Sequence, residues 1–101
     1  MIWKRCKADL DALTAATANG VLPDTLANAR ELVSGLAGIA PEPAVEKGFW
    51  PTVRFIWPDL EIEAFEDRYE IYRFPVGKID VEYAAHRPGE PIPPAVLSAF
   101  K

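Results

Sequence analysis

The chain has 101 residues, 50% of them apolar and 26% charged, with a formal net charge of −4. This suits one globular domain with one core and excludes a disordered chain. It contains no apolar run of the ~18 residues that a membrane span needs. Its acidity argues against non-specific nucleic-acid binding, which draws on basic groups at phosphates.

Residues 2–19 read as a first helix. Ile2, Cys6, Leu10, Leu13 and Thr17 recur at helical spacing, with Trp3 beside them, and Asn19-Gly20 supplies a stop. Lys4, Arg5 and Lys7 conflict with this, because they crowd the positive end of the helix dipole and argue for a later start. No apolar stretch follows these cations, so no secretory signal is expected. The lone cysteine cannot form an internal disulfide, which points to a reducing compartment, the cytoplasm. Cys6 itself reads as a small buried hydrophobe.

Residues 23–36 read as a second helix. Pro23 suits its first turn and Asp24 its positive end. Leu26, Ala29, Leu32, Val33 and Leu36 make the apolar stripe; Asn28, Arg30 and Glu31 lie off it. Residues 41–51, PEPAVEKGFWP, read as a linker, because three prolines and Gly48 favour extended and turn conformations. Phe49 and Trp50 predict that this linker packs along the domain.

Residues 52–83 read as an antiparallel meander of four strands. The register follows from requiring apolar residues to share a face. Trp57 faces Leu60 across Pro58-Asp59, Phe55 faces Ile62 and Val53 faces Ala64. Ile62 is then expected opposite Tyr72, Leu60 opposite Phe74 and Glu61 opposite Arg73. Phe74 is expected opposite Ile79, Tyr72 opposite Val81 and Arg73 opposite Asp80. The inner face becomes Val53, Phe55, Trp57, Leu60, Ile62, Ala64, Tyr72, Phe74, Ile79, Val81 and Tyr83. The outer face carries a charge ladder, with Arg54 opposite Glu63 and Arg73 between Glu61 and Asp80. Pro58 cannot take the positive φ of a type I′ turn, so the first loop is expected to be wider or bulged.

Residues 86–101 form a proline-rich tail, with a helical turn from Pro94 towards Phe100. His86, the only histidine, reads as a surface residue of this tail. The expected fold is α+β: a single domain with two N-terminal helices packed on one face of a four-stranded antiparallel meander.

The chemistry-bearing residues are sparse. One Cys and one His cannot supply a thiolate–imidazole zinc set. Ser34 lies in VSGLAG, which lacks the nucleophile elbow G-x-S-x-G. No glycine-rich phosphate loop is present, and no cofactor is indicated. Carboxylates are plentiful, and Glu61, Glu63, Asp80 and Glu82 are all expected on the outer face, mostly opposite arginines.

The pieces TLANARELVSGL, PEPAV, VRFIW and LEIEAF give a helix, a P-x-P linker, a strand ending in Trp and a strand of alternating acidic and aliphatic residues. This layout resembles small bacterial proteins of unknown function from mobile or toxin–antitoxin-type loci. The chain departs from it at Ile56, where Glu would be expected before Trp57. The resemblance implies a partner-binding protein and carries no catalytic residues over.

Three readings follow. The first is a small cytoplasmic protein–protein interaction module, binding a protein partner or a second copy through Arg54, Ile56, Glu61, Phe65 and Arg73 of the outer face. The second is a metal-assisted enzyme whose Glu61, Glu63, Asp80 and Glu82 converge on one divalent ion. The third is nucleic-acid binding through Lys4, Arg5 and Lys7 beside Trp3.

Overall fold

The computed structural model describes residues 3–16, 23–48, 51–74 and 79–100. These form α1 (Lys4–Ala16), α2 (Pro23–Leu36), β1 (Ala44–Lys47), β2 (Val53–Trp57), β3 (Leu60–Ala64), β4 (Arg68–Arg73), β5 (Asp80–Ala85) and α3 (Pro94–Ser98). The architecture is α+β, with an antiparallel sheet in the order β1-β2-β3-β4-β5. Of the expected first-helix stripe, Ile2 and Thr17 lie outside the described residues, as do Phe49 and Trp50 of the expected linker.

The helix starts at Lys4, later than Ile2, but this start does not clear the basic cluster from the positive end. Its first turn holds Lys4, Arg5 and Lys7 and no acidic residue. The compensation comes from a distant segment: Glu42 Oε2 accepts the backbone N–H of Cys6 at 2.7 Å. This carboxylate occupies one orphan donor and offsets the positive end of the helix. Replacing Glu42 by Ala is expected to lower stability by about 1 kcal/mol. Urea titration at neutral pH measures the loss, and Glu42→Gln should recover part of it because the amide oxygen still accepts.

α2 matches its expected span. Leu32 and Leu36 are fully buried and Val33 nearly so. Asn28, expected off the apolar stripe, is also fully buried. Its Nδ2 donates to the carbonyls of Phe65 (2.9 Å) and His86 (3.2 Å), just past the ends of β3 and β5. Arg30 reaches Asp11 at 2.9 Å and links the two long helices.

Two sheet expectations require correction. The sheet has five strands, because residues 44–47 of the expected linker pair with β2, Val45 opposite Phe55. Four residues between Pro43 and Gly48 suffice for an edge strand, and the prolines fall outside the ladder. The second correction concerns the register of β4. β2 and β3 pair as expected, and the ladder runs tightly up to Trp57 opposite Leu60. The intervening Pro58-Asp59 turn uses no positive φ, so the loop is not wider. β3 and β4, however, are offset by one residue from expectation: Ile62 faces Ile71, Glu61 faces Tyr72 and Leu60 faces Arg73. β4 and β5 then pair as expected, with Tyr72 opposite Val81 and Arg73 opposite Asp80.

A one-residue slip exchanges faces for everything downstream. Tyr69, Ile71 and Ala84 therefore join Val53, Phe55, Trp57, Leu60, Ile62 and Ala64 in the core. Tyr72, Val81 and Tyr83 go to the outer face. The same core holds Trp3, Cys6 and Leu10 from the N-terminal segment, the buried residues of α2, and Val96 of α3.

The tail is docked. His86 is 1% exposed, not a surface residue. Its ring stacks on Tyr69 at 4.9 Å, and its Nε2 lies 2.9 Å from Glu31 Oε1. The other oxygen of Glu31 accepts the N–H of Gly89 at 2.9 Å. Gly89 has φ +93°, a conformation that side chains rarely adopt, and this turn brings its N–H to the carboxylate. Beyond it, Ile92 lies over Gly35, where a Cβ would meet Ile92 Cγ1 at 2.7 Å.

Candidate functional site

The outer sheet face is where polar chemistry collects. Alternation along β2, β3 and β4 places Arg54, Ile56, Glu61, Glu63, Glu70 and Tyr72 on it. Glu63 and Glu70 are directly opposite one another and only 9% and 8% exposed. Like charges across strands repel, and buried carboxylates lose hydration. Local donors offset both costs. Tyr72 Oη donates to Glu70 Oε1 at 2.5 Å and lies 3.3 Å from Glu63 Oε1. The Thr52 hydroxyl donates to Glu63 Oε2. Gly48 leaves room for this contact, since a Cβ there would fall 2.6 Å from the same carboxylate oxygen.

Two arginines flank the pair. Arg68 Nε donates to Glu70 Oε2 at 2.7 Å, its Nη1 reaches Asp67 at 2.8 Å, and its guanidinium lies 3.9 Å from the Phe65 ring centre. Arg54 makes a two-pronged contact with Glu61, at 2.9 and 2.7 Å. Although Arg54 sits opposite Glu63 in register, its fork reaches the diagonal neighbour. Burial, and then Glu70, push the Tyr72 phenol up, so it keeps its proton and remains a hydrogen-bond donor. A cleft of about 500 Å³ opens beside this cluster, lined by Thr25, Thr52, Phe65, Arg68, Glu70 and Tyr72.

A second cleft, about 470 Å³, lies on the opposite side of the sheet. Its floor is the last row of the inner face, Trp57–Leu60–Arg73–Asp80, where the helical cover runs out. Phe74 and Phe100 also line it.

The expected surface residues are thus divided. Arg54, Ile56 and Glu61 share the outer face. Phe65 lies in the β3–β4 connection under Arg68. Arg73 is on the opposite face, at the end of β4, where its Nη1 bonds Glu82 at 2.9 Å. The expected metal set is likewise split: Glu61 and Glu63 lie on the outer face, Asp80 and Glu82 on the other. Four carboxylates on two faces of one sheet cannot converge on one ion. At the basic N-terminal segment, Lys4, Arg5 and Lys7 are exposed, but Trp3 is fully buried and offers no ring for stacking on a base.

Sequence reasoning missed four exposed apolar residues around β5. Tyr83 is 67% exposed, Ile79 64%, Phe74 42% and Val81 37%. Val81 and Tyr83 lie on the outer face of β5, with Tyr72 and Glu70 as their β4 neighbours. The signal was present in the two apolar phases of β4, Tyr69/Ile71 and Tyr72/Phe74, only one of which can face the helices. Among the described residues, no helix is long and apolar enough to cross a membrane. Comparison with protein families, curated proteins and solved structures finds no significant match.

Proposed function

We propose that this chain is a small cytoplasmic protein–protein interaction module that binds its partner through the outer sheet face. The observation that carries this reading is the exposed apolar group on β5 and just before it, Ile79, Val81 and Tyr83, beside a fixed polar floor. Apolar side chains gathered at one sheet end mark contact surfaces more often than they mark catalytic ones. The carboxylates alongside are already bonded to hydroxyls and guanidinium groups, which suits a shaped, rigid surface better than a reacting one. Arg54, Ile56 and Glu61 extend the surface towards β2, and Phe65 borders it. The lone buried thiol of Cys6 fits a reducing compartment. The resemblance of VRFIW and LEIEAF to proteins of mobile or toxin–antitoxin-type loci supports the same reading.

The test is site-specific photo-cross-linking in the cells that make the protein. A photoreactive residue replacing Tyr83 should yield one discrete adduct. The same residue replacing Ile39, which is 55% exposed but lies just after α2, should not. Equal labelling from both positions, or none from Tyr83, would reject the assignment of this face.

A further inference from the structure

β5 ends the sheet, and its two faces differ in chemistry. On the outer side stand Val81 and Tyr83, both exposed and apolar. On the other side stand Asp80 and Glu82, and among the described residues Arg73 serves both: it faces Asp80 in the ladder and bonds Glu82. Among the described residues, no backbone hydrogen bond from outside β4 reaches Asp80–Ala85; the nearest, His86 N–H to Asp67, falls just beyond the strand. β5 therefore presents an unpaired row of N–H and C=O groups, six residues long, the template on which strands add.

The opposite edge is built differently. β1 is four residues long, is preceded by Pro41 and Pro43, and has α1 beside it. Shortness and flanking prolines are the usual means of blunting an edge. β5 has neither within its span; α3 packs against it, and its charges are Asp80 and Glu82.

Resting on the interaction-module reading, and deepening it, we infer that β5 accepts an added antiparallel strand from a basic partner segment. In that strand Lys or Arg alternates with apolar residues. The alternation follows from cross-strand pairing. Each residue of an incoming strand faces one residue of β5 on the same side of the sheet. Positions opposite Asp80 and Glu82 call for cations, and those opposite Val81 and Tyr83 for apolar side chains. The net charge of −4 on the chain favours approach of the same kind of segment.

A second copy of this chain is a poorer occupant. A twofold pairing of β5 with itself must keep faces matched, so it centres on a single residue. Centred on Val81, it sets Asp80 against Glu82 of the other copy; centred on Glu82, it sets Glu82 against Glu82; centred on Tyr83, it sets Glu82 against Ala84. The first two place carboxylate against carboxylate, which is destabilising, and in none of the three does a Lys or Arg stand opposite Asp80 or Glu82.

The probe is a synthetic peptide of alternating lysine with valine and tyrosine, added to the full chain labelled with ¹⁵N. Saturable binding that shifts and protects the amides of residues 80–85 is expected. Replacing its lysines by glutamates should weaken binding about tenfold or more. Glu82→Lys in the protein should restore part of the glutamate peptide's affinity. N-methylation of the peptide at alternate residues should abolish binding in one phase and spare it in the other, because only one phase points its N–H groups at β5. No shift at residues 80–85, or equal tolerance of both methylation phases, overturns the strand addition. If that happens while the Tyr83 cross-link persists, the module reading stands and only the strand mode is lost. If the cross-link is also absent, both fall. A rise to dimer mass without peptide would overturn the choice of a basic partner over a second copy.

Discussion

Trp3→Ala is expected to cost about 3–5 kcal/mol, the range for emptying a buried aromatic site. Total stabilities of such domains run to about 5–15 kcal/mol, so the variant should sit near the edge of folding at 37 °C. The reason lies in how the ring is shared. Trp3 is fully buried and meets Trp57 edge to face at 6.2 Å. Trp57 in turn meets Phe100 at 4.8 Å. The two indole N–H groups donate to consecutive carbonyls, Trp3 to Ala40 at 3.2 Å and Trp57 to Pro41 at 2.7 Å. One hub therefore ties together the segment before α1, the end of β2, the start of the linker and the residues after α3. Trp3→Phe should fall between wild type and Ala, since it keeps a ring but strands the Ala40 carbonyl. Chemical denaturation of the three proteins checks the order. If Trp3→Phe equals wild type, the hydrogen bond contributes nothing.

Stability is expected to be flat from pH 7 to about 8.5 and to fall steadily up to about 11. The Cys6 thiol is pushed up to about 11, first by burial and then by the carboxylates of Glu42 and Asp9. Burial raises the Tyr69 phenol, with Glu31 adding to it, and burial raises Tyr72 as well. All three groups are neutral when protonated, and the fold favours that form. Below the unfolded-state values, near 9 for thiol and 10 for phenol, native and unfolded chains hold the same protons, and the full stability is present. As pH rises through the interval, the unfolded chain releases protons that the native chain keeps. The equilibrium shifts towards unfolding until the native groups also ionise. A thiol titrating near 11 instead of 9.0 accounts for about 2–3 kcal/mol of this decline. Cys6→Ala should flatten the curve by that amount, and Tyr69→Phe should flatten it further. Urea midpoints measured across this range test the sign directly. A Cys6→Ala curve parallel to wild type would show that the thiol is not held protonated by the fold.

The hairpin β2–β3 was legible because VRFIW and LEIEA each offer only one apolar phase. β4 was not, because RYEIYRF offers two. The phase that opposes Glu61 to Arg73 looks better by charge, and sequence reasoning preferred it. The fold uses the other, which sets Glu63 against Glu70, a pairing that a charge count rejects. It is tolerated because Thr52, just before β2, and Arg68 and Tyr72 of β4 supply donors, and such convergence is visible only once the strands are side by side. β1 was hidden by its brevity among prolines. His86 and Asn28 were misread for one shared reason: a polar side chain reads as exposed unless its partners are known, and theirs lie 55 and 58 residues away in sequence for the Glu31 and His86 contacts. The surface proposed for interaction moved with the register, from Ile56 and Phe65 towards Val81 and Tyr83.

The aromatic hub also constrains the order in which the chain can mature. The sheet is a set of neighbouring hairpins whose closures span few residues, and such contacts form quickly. The Trp3–Trp57–Phe100 junction draws on three regions far apart along the chain and closes long loops. The hairpins can zip before Phe100 reaches Trp57, which is left uncapped on that side until then. The meander thus serves as a waiting scaffold, and docking of the residues after α3 is the event that seals the core.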